Sequence, residues 1–276
     1  MFDGQHRSFK IQTDVDGSTT EIKINETPGV SAENLSLATW GSSFILANKL
    51  HKWKDQVAAA FKDERTRSKK SQKGIIPILE LGAGTSLVGL SAAKIYDPPP
   101  TSQQTANSGD SEPSLPGVIV TDLAPLISGL QFNISANPSL SDSTPPKIAP
   151  GILDWWNPST LSVVLPNETT TISSTTHTAP LILAADTVYD PDHPHLLTST
   201  ITTWLSRSPS ARVILCYVLR HSYIDIIRDL WIQLEEAGLE SIDEGQEDPD
   251  PDRWDDVAPF EWCVWRWKED ALTSRS

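Results

Sequence analysis

Apolar runs of strand length alternate five times with segments of helical composition along this chain of 276 residues. Strands are predicted at residues 75–81, 118–121, 151–155, 181–184 and 212–219, with helices at 85–96, 125–136, 195–205 and 222–237. Such a repeat predicts a mainly parallel sheet with helices on both faces. Ligands of these sheets bind beyond the carboxyl ends of the strands, where the winding direction reverses.

The segments outside this repeat carry weaker signals. Residues 9–25 alternate around Asp16 and Gly17, which predicts a β-hairpin, and residues 37–61 have helical spacing. Residues 64–73 read as a charged loop, and residues 243–256 as a solvated acidic loop. Residues 260–267 (FEWCVWRW) alternate as in a half-buried strand, which would be the last of the sheet. The packing of one face of this strand in the core explains why it is rich in tryptophan. Low-complexity insertions are predicted at 97–117 and 157–180.

The charge balance restricts the class of partner. A net charge of −14 disfavours nucleic acid and suits a protein substrate with a basic surface. The chain shows neither an apolar signal core nor a run of about 20 apolar residues, so no membrane association is expected. Cys216 and Cys263 lie in apolar runs and are predicted to be buried free thiols. We therefore expect a soluble monomer in the cytoplasm, with the nucleus as a further location.

The strongest local signal is ILELGAGTSLVGL at residues 78–90. Here an apolar strand leads through Gly82 and Gly84 into a helix, a geometry that serves the pyrophosphate of a dinucleotide. Two features favour S-adenosylmethionine (SAM) instead. Glu80, interpreted as part of the turn, would repel a pyrophosphate and attract a sulfonium, and Ser86 stands where a third glycine is expected. Taken alone, the motif is also compatible with an ordinary strand-to-helix turn.

Asp122 ends the second predicted strand of the repeat. An acid at this position can accept the two ribose hydroxyls of an adenosine. Its distance along the chain from the glycine turn exceeds the usual gap of about 20 residues, and the insertion at 97–117 accounts for the excess. The alternative role for Asp122 is that of a helix N-cap.

The segment DPDHPH, residues 190–195, is a candidate metal site. Asp190, Asp192, His193 and His195 have side chains that can ligate metal ions. The two prolines indicate a rigid loop, and no further ligands stand out elsewhere. We therefore predict no metal.

Four segments, taken in order, resemble the seven-strand protein methyltransferases of family 16, which use SAM to modify lysine in translation factors and chaperones. They are ATWGSSFILANKL, ILELGAGTSLVGL, VTDL with Asn133 following, and LILAADTVY after DWW. The resemblance spans residues 36–238. It implies a Rossmann-like, doubly wound sheet with an antiparallel C-terminal strand. The implied domain covers residues 31–276, preceded by a hairpin extension at 1–30.

The resemblance also implies roles for individual residues. Asp186 and Tyr189 match the Asp-x-x-Tyr signature of the lysine-modifying members, in which a carboxylate orients and desolvates the amine and the tyrosine walls its channel. Residues implied to bind the cofactor are Trp40, Glu80, Gly82, Ala83, Gly84, Asp122, Leu123, Trp155 and Ala185. Elongation factors are the family's common targets.

The sequence departs from the family pattern at two points. Gly41 and Ser42 follow Trp40 where many members have proline and alanine, and Thr85-Ser86 replaces a further glycine. A related branch with a similar glycine turn methylates arginine. The alternatives left open are an arginine or small-molecule N-methyltransferase, a catalytically silent SAM-binding module and a nucleotide-binding oxidoreductase.

Overall fold

A nine-stranded sheet forms the centre of the computed structural model, which describes residues 5–26, 38–71, 73–98, 100, 114–143, 146–250, 254 and 257–273. Most of the predicted insertion at 97–117 and the predicted domain boundary at residue 30 lie outside these residues. The strands are β1 Gln5–Gln12, β2 Thr19–Glu26, β3 Gly74–Ile75, β4 Ile78–Leu81, β5 Val118–Asp122, β6 Ile148–Ile152, β7 Thr160–Val164, β8 Thr169–Ser173, β9 His177–Thr178, β10 Leu181–Ala185, β11 Arg212–Val218, β12 Leu239–Glu247 and β13 Phe260–Trp267.

Helices cover both faces of this sheet. They are α1 Gly41–Lys49, α2 Lys54–Ser71, α3 Leu87–Tyr96, α4 Ile127–Ser135, α5 Pro138–Ser141, α6 His193–Trp204, α7 Ile224–Glu236 and α8 Glu269–Thr273. Short 3₁₀ turns precede α2, α4 and α7. The predicted helix at 37–61 is therefore two helices joined by the 3₁₀ turn Leu50–Trp53, and the second continues to Ser71.

The strand order is β12-β13-β11-β10-β4-β5-β6-β7-β8. Strands β6, β5, β4, β10 and β11 are parallel, whereas β13 runs antiparallel between β11 and β12. From β4 the chain winds outward through β5 and β6, then returns to β10 on the other side of β4. The winding therefore reverses between β4 and β10, where a ligand crevice is expected. The predicted doubly wound sheet with an antiparallel C-terminal strand is confirmed.

Alternation along the strands divides the interior into two cores. Ile78, Val118 and Leu181 face a core shared with α1, α3, α4 and the β1–β2 hairpin. Leu79 and Ile182 face a second core closed by α6 and α7. Both faces of the central strands are covered, which explains why their sequences read as continuous apolar runs.

The N-terminal hairpin is docked on the first core through two asparagine side chains. Asn137 accepts the N–H of Lys23 at 3.1 Å and donates its amide to the Lys23 carbonyl at 2.8 Å. Asn133, one helical turn earlier, accepts the N–H of Asn25 at 2.7 Å. These side chains pair with backbone groups on the outer edge of β2, which would otherwise lack strand partners. The hairpin prediction is confirmed, and Gly17 has a φ of 83° at its tip.

The Ser/Thr-rich segment 157–180 extends the sheet. Strands β7 and β8 form an antiparallel hairpin that pairs with β6. Leu161, Val163 and Ile172 point from it into the second core. The polar composition hid this short apolar alternation, so the segment read as an insertion without regular structure.

Two loop predictions were wrong over part of their length. Residues 64–71 belong to α2, because Lys, Arg and Glu form helices readily and Glu64 accepts a hydrogen bond from Thr178 Oγ1 at 3.2 Å. Residues 243–247 belong to β12, which pairs along its length with β13. The Trp53 indole N–H donates to Asp243 Oδ2 at 3.1 Å, and Lys49 pairs with Glu247. Residues distant in sequence thus form a hydrogen bond and an ion pair with acidic side chains of β12.

Several element limits differ from the sequence prediction. Pro77 divides the predicted strand 75–81 into β3 and β4, since proline has no N–H to donate to a ladder. Strand β6 begins at Ile148, three residues before the predicted strand 151–155, and includes Pro150. Strand β13 is buried along most of both faces, more deeply than its alternation indicated. Cys216 and Cys263 are buried free thiols, as predicted. None of the described helices is long and apolar enough to cross a bilayer.

We predict that Asn137→Ala lowers the free energy of unfolding by about 2 kcal/mol. The variant leaves the backbone N–H and C=O of Lys23 without their hydrogen-bond partner, the side chain of the buried Asn137. Urea unfolding measures the change. Ser135→Ala, which removes an exposed hydroxyl at the end of α4, two residues before Asn137, is the control and is expected to lie within about 0.5 kcal/mol of wild type. Equal stability of the two variants would show that the hairpin is held by apolar packing alone.

Candidate functional site

The glycine turn lies at the carboxyl end of β4, beside the point where the winding reverses. Gly82 and Gly84 both have positive φ, at 62° and 52°. A Cβ atom on Gly82 would lie 2.9 Å from Thr187 Cγ2 and 3.3 Å from the Trp155 ring, whereas one on Gly84 would have no neighbour within 4 Å. Gly82 therefore permits close packing of the loops after β6 and β10, and Gly84 leaves open space above the backbone. This open space can admit a ligand.

Asp122, at the end of β5, is hydrogen-bonded to this turn. Its Oδ2 accepts the N–H of Gly84 at 2.9 Å, and its Oδ1 accepts the N–H of Leu123 at 2.8 Å. The Ala83 N–H, in turn, donates to the carbonyl of Thr121 at 2.9 Å. Burial raises the pKa of the Asp122 carboxyl, and these two N–H donors oppose the shift. Each oxygen keeps a lone pair that a ligand hydroxyl can use.

The sequence interpretation placed Glu80 in the turn, which is wrong. It belongs to β4, and alternation points its side chain to the face covered by α3. Its Oε2 accepts the N–H of Gly89 in the first turn of α3 at 2.9 Å. Burial, opposed by that bond, raises the pKa of Glu80 to about 8, with the charge of Asp122 adding to the rise. The carboxyl group thus supports the helix beneath the turn.

Asp186 follows Ala185, the last residue of β10, in the left-handed region with a φ of 59°. Its N–H donates to the carbonyl of Cys216 at 2.8 Å, and its Oδ1 accepts a hydrogen bond from the buried Ser42 hydroxyl at 3.1 Å. A non-glycine residue in this region costs of order 1–3 kcal/mol, so the surrounding contacts must hold it there. Sequence reasoning assigned no role to Ser42, although it noted the unusual Gly-Ser-Ser after Trp40.

An aromatic row links the turn with the loop after β10. The Trp155 ring lies against Gly82 and makes an edge contact with His193 at 5.9 Å between centroids. His193 makes a second edge contact with Tyr189 at 4.4 Å. Burial raises the pKa of Tyr189, and the charges of Asp122 and Asp186 add to the rise. The sequence indicates only a possible metal-ligand role for His193, whereas in the structure its ring is part of this aromatic row.

Trp40 lies half-exposed at the start of α1. Arg220 lies 5.8 Å from the ring centroid of Trp40 and 5.8 Å from that of Tyr223. A Cβ on Gly41 would approach the Phe260 ring to 2.3 Å, so a larger residue does not fit without movement of that ring. The departure from the family pattern after Trp40 thus has a steric reason.

Polar side chains tie the turn to the N-terminal hairpin. The hydroxyls of Thr39 and Thr85 share a hydrogen bond of 3.0 Å, and the amide of Asn133 donates to the carbonyl of Thr85 at 3.1 Å. Since Asn133 also accepts the N–H of Asn25, one side chain joins the turn to β2.

Apart from Glu80, whose side chain lies beneath α3, the structure thus brings the residues predicted to bind the cofactor and those predicted to be catalytic to one edge of the sheet. No three His, Cys, Asp or Glu side chains form a group that could hold a metal ion within the described ranges. A cleft of about 430 Å³ lined by Lys54, Lys94 and Lys147 lies elsewhere, beside the hairpin.

The profile of the lysine methyltransferase family matches residues 18–225. The chain belongs to this family. The match confirms the resemblance that the four sequence segments predicted, and it covers the glycine turn, Asp122, Trp155 and the Asp186–Tyr189 segment.

Two yeast relatives are similar over most of the chain. The protein-lysine N-methyltransferase EFM2 of Saccharomyces cerevisiae is 30% identical over 226 residues, covering 82% of this chain and 47% of EFM2. The protein-lysine N-methyltransferase rrg1 of Schizosaccharomyces pombe is 27% identical over 213 residues, covering 77% of this chain and 56% of rrg1. The chain thus spans about half the length of these relatives.

Solved structures with related architecture are more distant. A TehB-like SAM-dependent methyltransferase from Corynebacterium glutamicum is 16% identical with a TM-score of 0.41, covering 81% of this chain and 98% of its own. The M. jannaschii TYW2 complex with AdoMet is 12% identical with a TM-score of 0.39, covering 76% and 77%. The fold assignment rests on the strand order, not on these scores.

We predict that Glu80→Gln removes part of the pH dependence of stability in the cofactor-free protein. Between the ordinary glutamate pKa and about 8, the folded protein holds a proton that the unfolded chain has lost. Stability conferred by this group is therefore fully present at low pH and is lost as the pH rises. From pH 5.5 to 7.5, the wild type should lose about 2 to 3 kcal/mol more than the variant. Urea unfolding at both pH values measures this, and parallel curves would contradict the buried position of Glu80.

We predict that Ser86→Gly stabilises the protein by about 1 kcal/mol. Ser86 is buried with a φ of 66°, and its hydroxyl has no hydrogen-bond partner among the described residues. Glycine relieves both costs, at the expense of greater freedom in the unfolded chain. Ser86→Ala serves as the comparison in chemical denaturation, because it removes the hydroxyl and keeps the strain. It should therefore gain less than the glycine variant, and a reversed order would refute the strain argument.

Proposed function

We propose that this chain is a SAM-dependent protein-lysine N-methyltransferase. The observation that carries the proposal is the placement of Asp186. Its carboxylate stands at the carboxyl end of β10, hydrogen-bonded to Ser42, on the same sheet edge as the open turn at Gly84 and three residues before Tyr189. An acceptor amine and a methyl donor can therefore meet at one place.

The residues present fit SAM. Gly84 leaves the backbone of the turn open to a ligand, and Asp122 stands beside it with lone pairs for ribose hydroxyls. Trp155 and Leu123 follow β6 and β5, where they can border an adenine, and Ala185 and Trp40 complete the rim. Glu80 acts indirectly, by holding the start of α3 through Gly89. When bound, SAM supplies an electrophilic methyl group on a sulfonium.

The protein's own contribution concerns the lysine side chain. A lysine ammonium is not a nucleophile and must lose a proton before it can accept a methyl group. The proton passes to water as the side chain enters the site. Asp186 then orients the neutral amine and partly replaces its water shell, while Tyr189 walls the approach and accepts a hydrogen bond from it. Ser42 holds the Asp186 carboxylate in one orientation. The methyl transfer then depends mainly on proximity and alignment.

The substrate is proposed to be a protein with a basic surface. Both yeast relatives are named protein-lysine N-methyltransferases, and the chain carries a net charge of −14. The family resemblance favours a translation elongation factor, and a monomer acting in the cytoplasm is consistent with this role. Tyr189 favours lysine over arginine as the acceptor.

We expect Asp186→Asn to lower protein methylation by about 100-fold or more while changing the SAM dissociation constant by no more than about threefold. Asparagine tolerates the left-handed backbone and keeps the size of the side chain, so the loss reports the charge. The assay uses labelled SAM with a cell lysate, and calorimetry measures SAM binding. Asp229→Asn, an exposed carboxylate on α7, is the control and should keep full activity.

Three outcomes would change the assignment. Label found on arginine or on a metabolite, identified by mass spectrometry, would favour another acceptor on the same fold. SAM binding without any labelled product would indicate a silent binding module. A thermal shift with NAD and none with SAM would sink the methyltransferase proposal and favour an oxidoreductase.

A further inference from the structure

Basic residues are distributed unevenly along the chain. Of the 22 lysines and arginines, residues 95–206 contain Lys147 alone. Lys147 precedes β6, at the opposite end of that strand from the site, and is paired with Asp97 at 2.6 Å. The loops that follow β5, β6 and β10 all come from this stretch. These loops therefore contribute no lysine or arginine to the site, whereas Arg220, after β11, lies on the Trp40 side of it. We call these loops, residues 123–126, 153–159 and 186–192, the cation-free face.

Exposed apolar side chains mark the same face. Leu123, Trp156 and Tyr189, one from each loop, are 45%, 71% and 57% exposed. Trp156 is the most exposed of the three. The family resemblance gives it no role, since Trp155 takes the place beside the glycine turn. Large apolar groups in such number around one opening are typical of a binding surface.

The backbone that carries Trp156 is fixed. Asp154 Oδ1 accepts the N–H of Trp156 at 2.9 Å, and the Asp154 carbonyl accepts the N–H of Asn157 at 3.0 Å. The adjacent Trp155 is packed against Gly82 and His193. An indole presented on a rigid turn loses little conformational entropy on binding, which is the property of the aromatic anchors in protein interfaces.

The charges that these loops carry select the partner. Asp154, Asp190 and Asp192 are exposed on the same loops, and none of the loops supplies a lysine or arginine to offset them. Their field attracts basic side chains, and an arginine or lysine can also lie over the indole ring of Trp156.

We propose that the cation-free face docks a basic segment of the substrate protein next to its acceptor lysine, with Trp156 as the anchor. The inference rests on the proposed function and adds the surface, the anchor residue and the chemistry of the flanking sequence. The substrate segment carries arginine or lysine and an apolar residue near the acceptor.

The test uses two fluorescein-labelled peptides of equal length, each with one central lysine. One has arginine and leucine on both sides of the lysine, and the other has glutamate and leucine. With S-adenosylhomocysteine present, the wild type should bind the arginine peptide at least about tenfold more tightly in fluorescence anisotropy. Trp156→Ala should weaken that binding about tenfold, and Asp192→Lys should weaken it and reduce its salt dependence.

Ile232→Ala is the matched control, because Ile232 is 48% exposed on α7, outside the face. It should bind the arginine peptide as the wild type does. Equal binding of both peptides by the wild type, or unchanged binding by Trp156→Ala, overturns the proposal. Lysate labelling tests the methyltransferase proposal and the docking proposal separately. If the label at limiting lysate is lost in Asp186→Asn but unchanged in Trp156→Ala, the methyltransferase proposal stands and the docking surface is refuted.

Discussion

The bond between the Asp122 carboxylate and the N–H of Gly84 connects the ends of two neighbouring strands at the point on which the whole site depends. A turn with two glycines in the left-handed region is free to move when nothing holds it. Here the carbonyl of Thr121 and the carboxylate of Asp122 fix it from β5, and Thr85 fixes it from the helix side through Asn133. The glycines give access, and the next strand supplies the rigidity.

Rigidity at this edge has an electrostatic cost. Glu80 is buried and Asp122 is partly buried near the turn, and burial raises the pKa of each. Backbone N–H groups of Gly89, Gly84 and Leu123 offset part of this cost. A bound cation would offset more of the cost at Asp122, because a carboxylate held partly out of water favours positive charge nearby. The acid that suits a sulfonium better than a pyrophosphate is therefore Asp122, whereas Glu80, protonated beneath the turn, does not have the role that the sequence argument gave it.

Much of the fold was predictable because the central strands are apolar on both faces and the helices between them have clear limits. The positions of Asp122, Asp186 and Tyr189 followed from strand ends and from the family resemblance. Long-range pairing was not predictable. Strand β12 is acidic and becomes a strand only because β13 lies beside it, and β7–β8 has three inward apolar residues among many polar ones. The orientation of Glu80 follows from alternation with Ile78, a signal that the motif reading overlooked. Ser42 and His193 lie in segments that the sequence analysis noted, but their contacts depend on the fold.

The two asparagines that hold the hairpin have a consequence for how the molecule responds to ligand. Asn133 contacts both β2 and the carbonyl of Thr85, so detaching the hairpin removes one restraint from the glycine turn. By reciprocity, a ligand that orders the turn strengthens the attachment of the hairpin by the same free energy. The hairpin of residues 5–26 is then a thermodynamic reporter of the site, and hydrogen exchange at the Lys23 and Asn25 amides would slow as the turn fills.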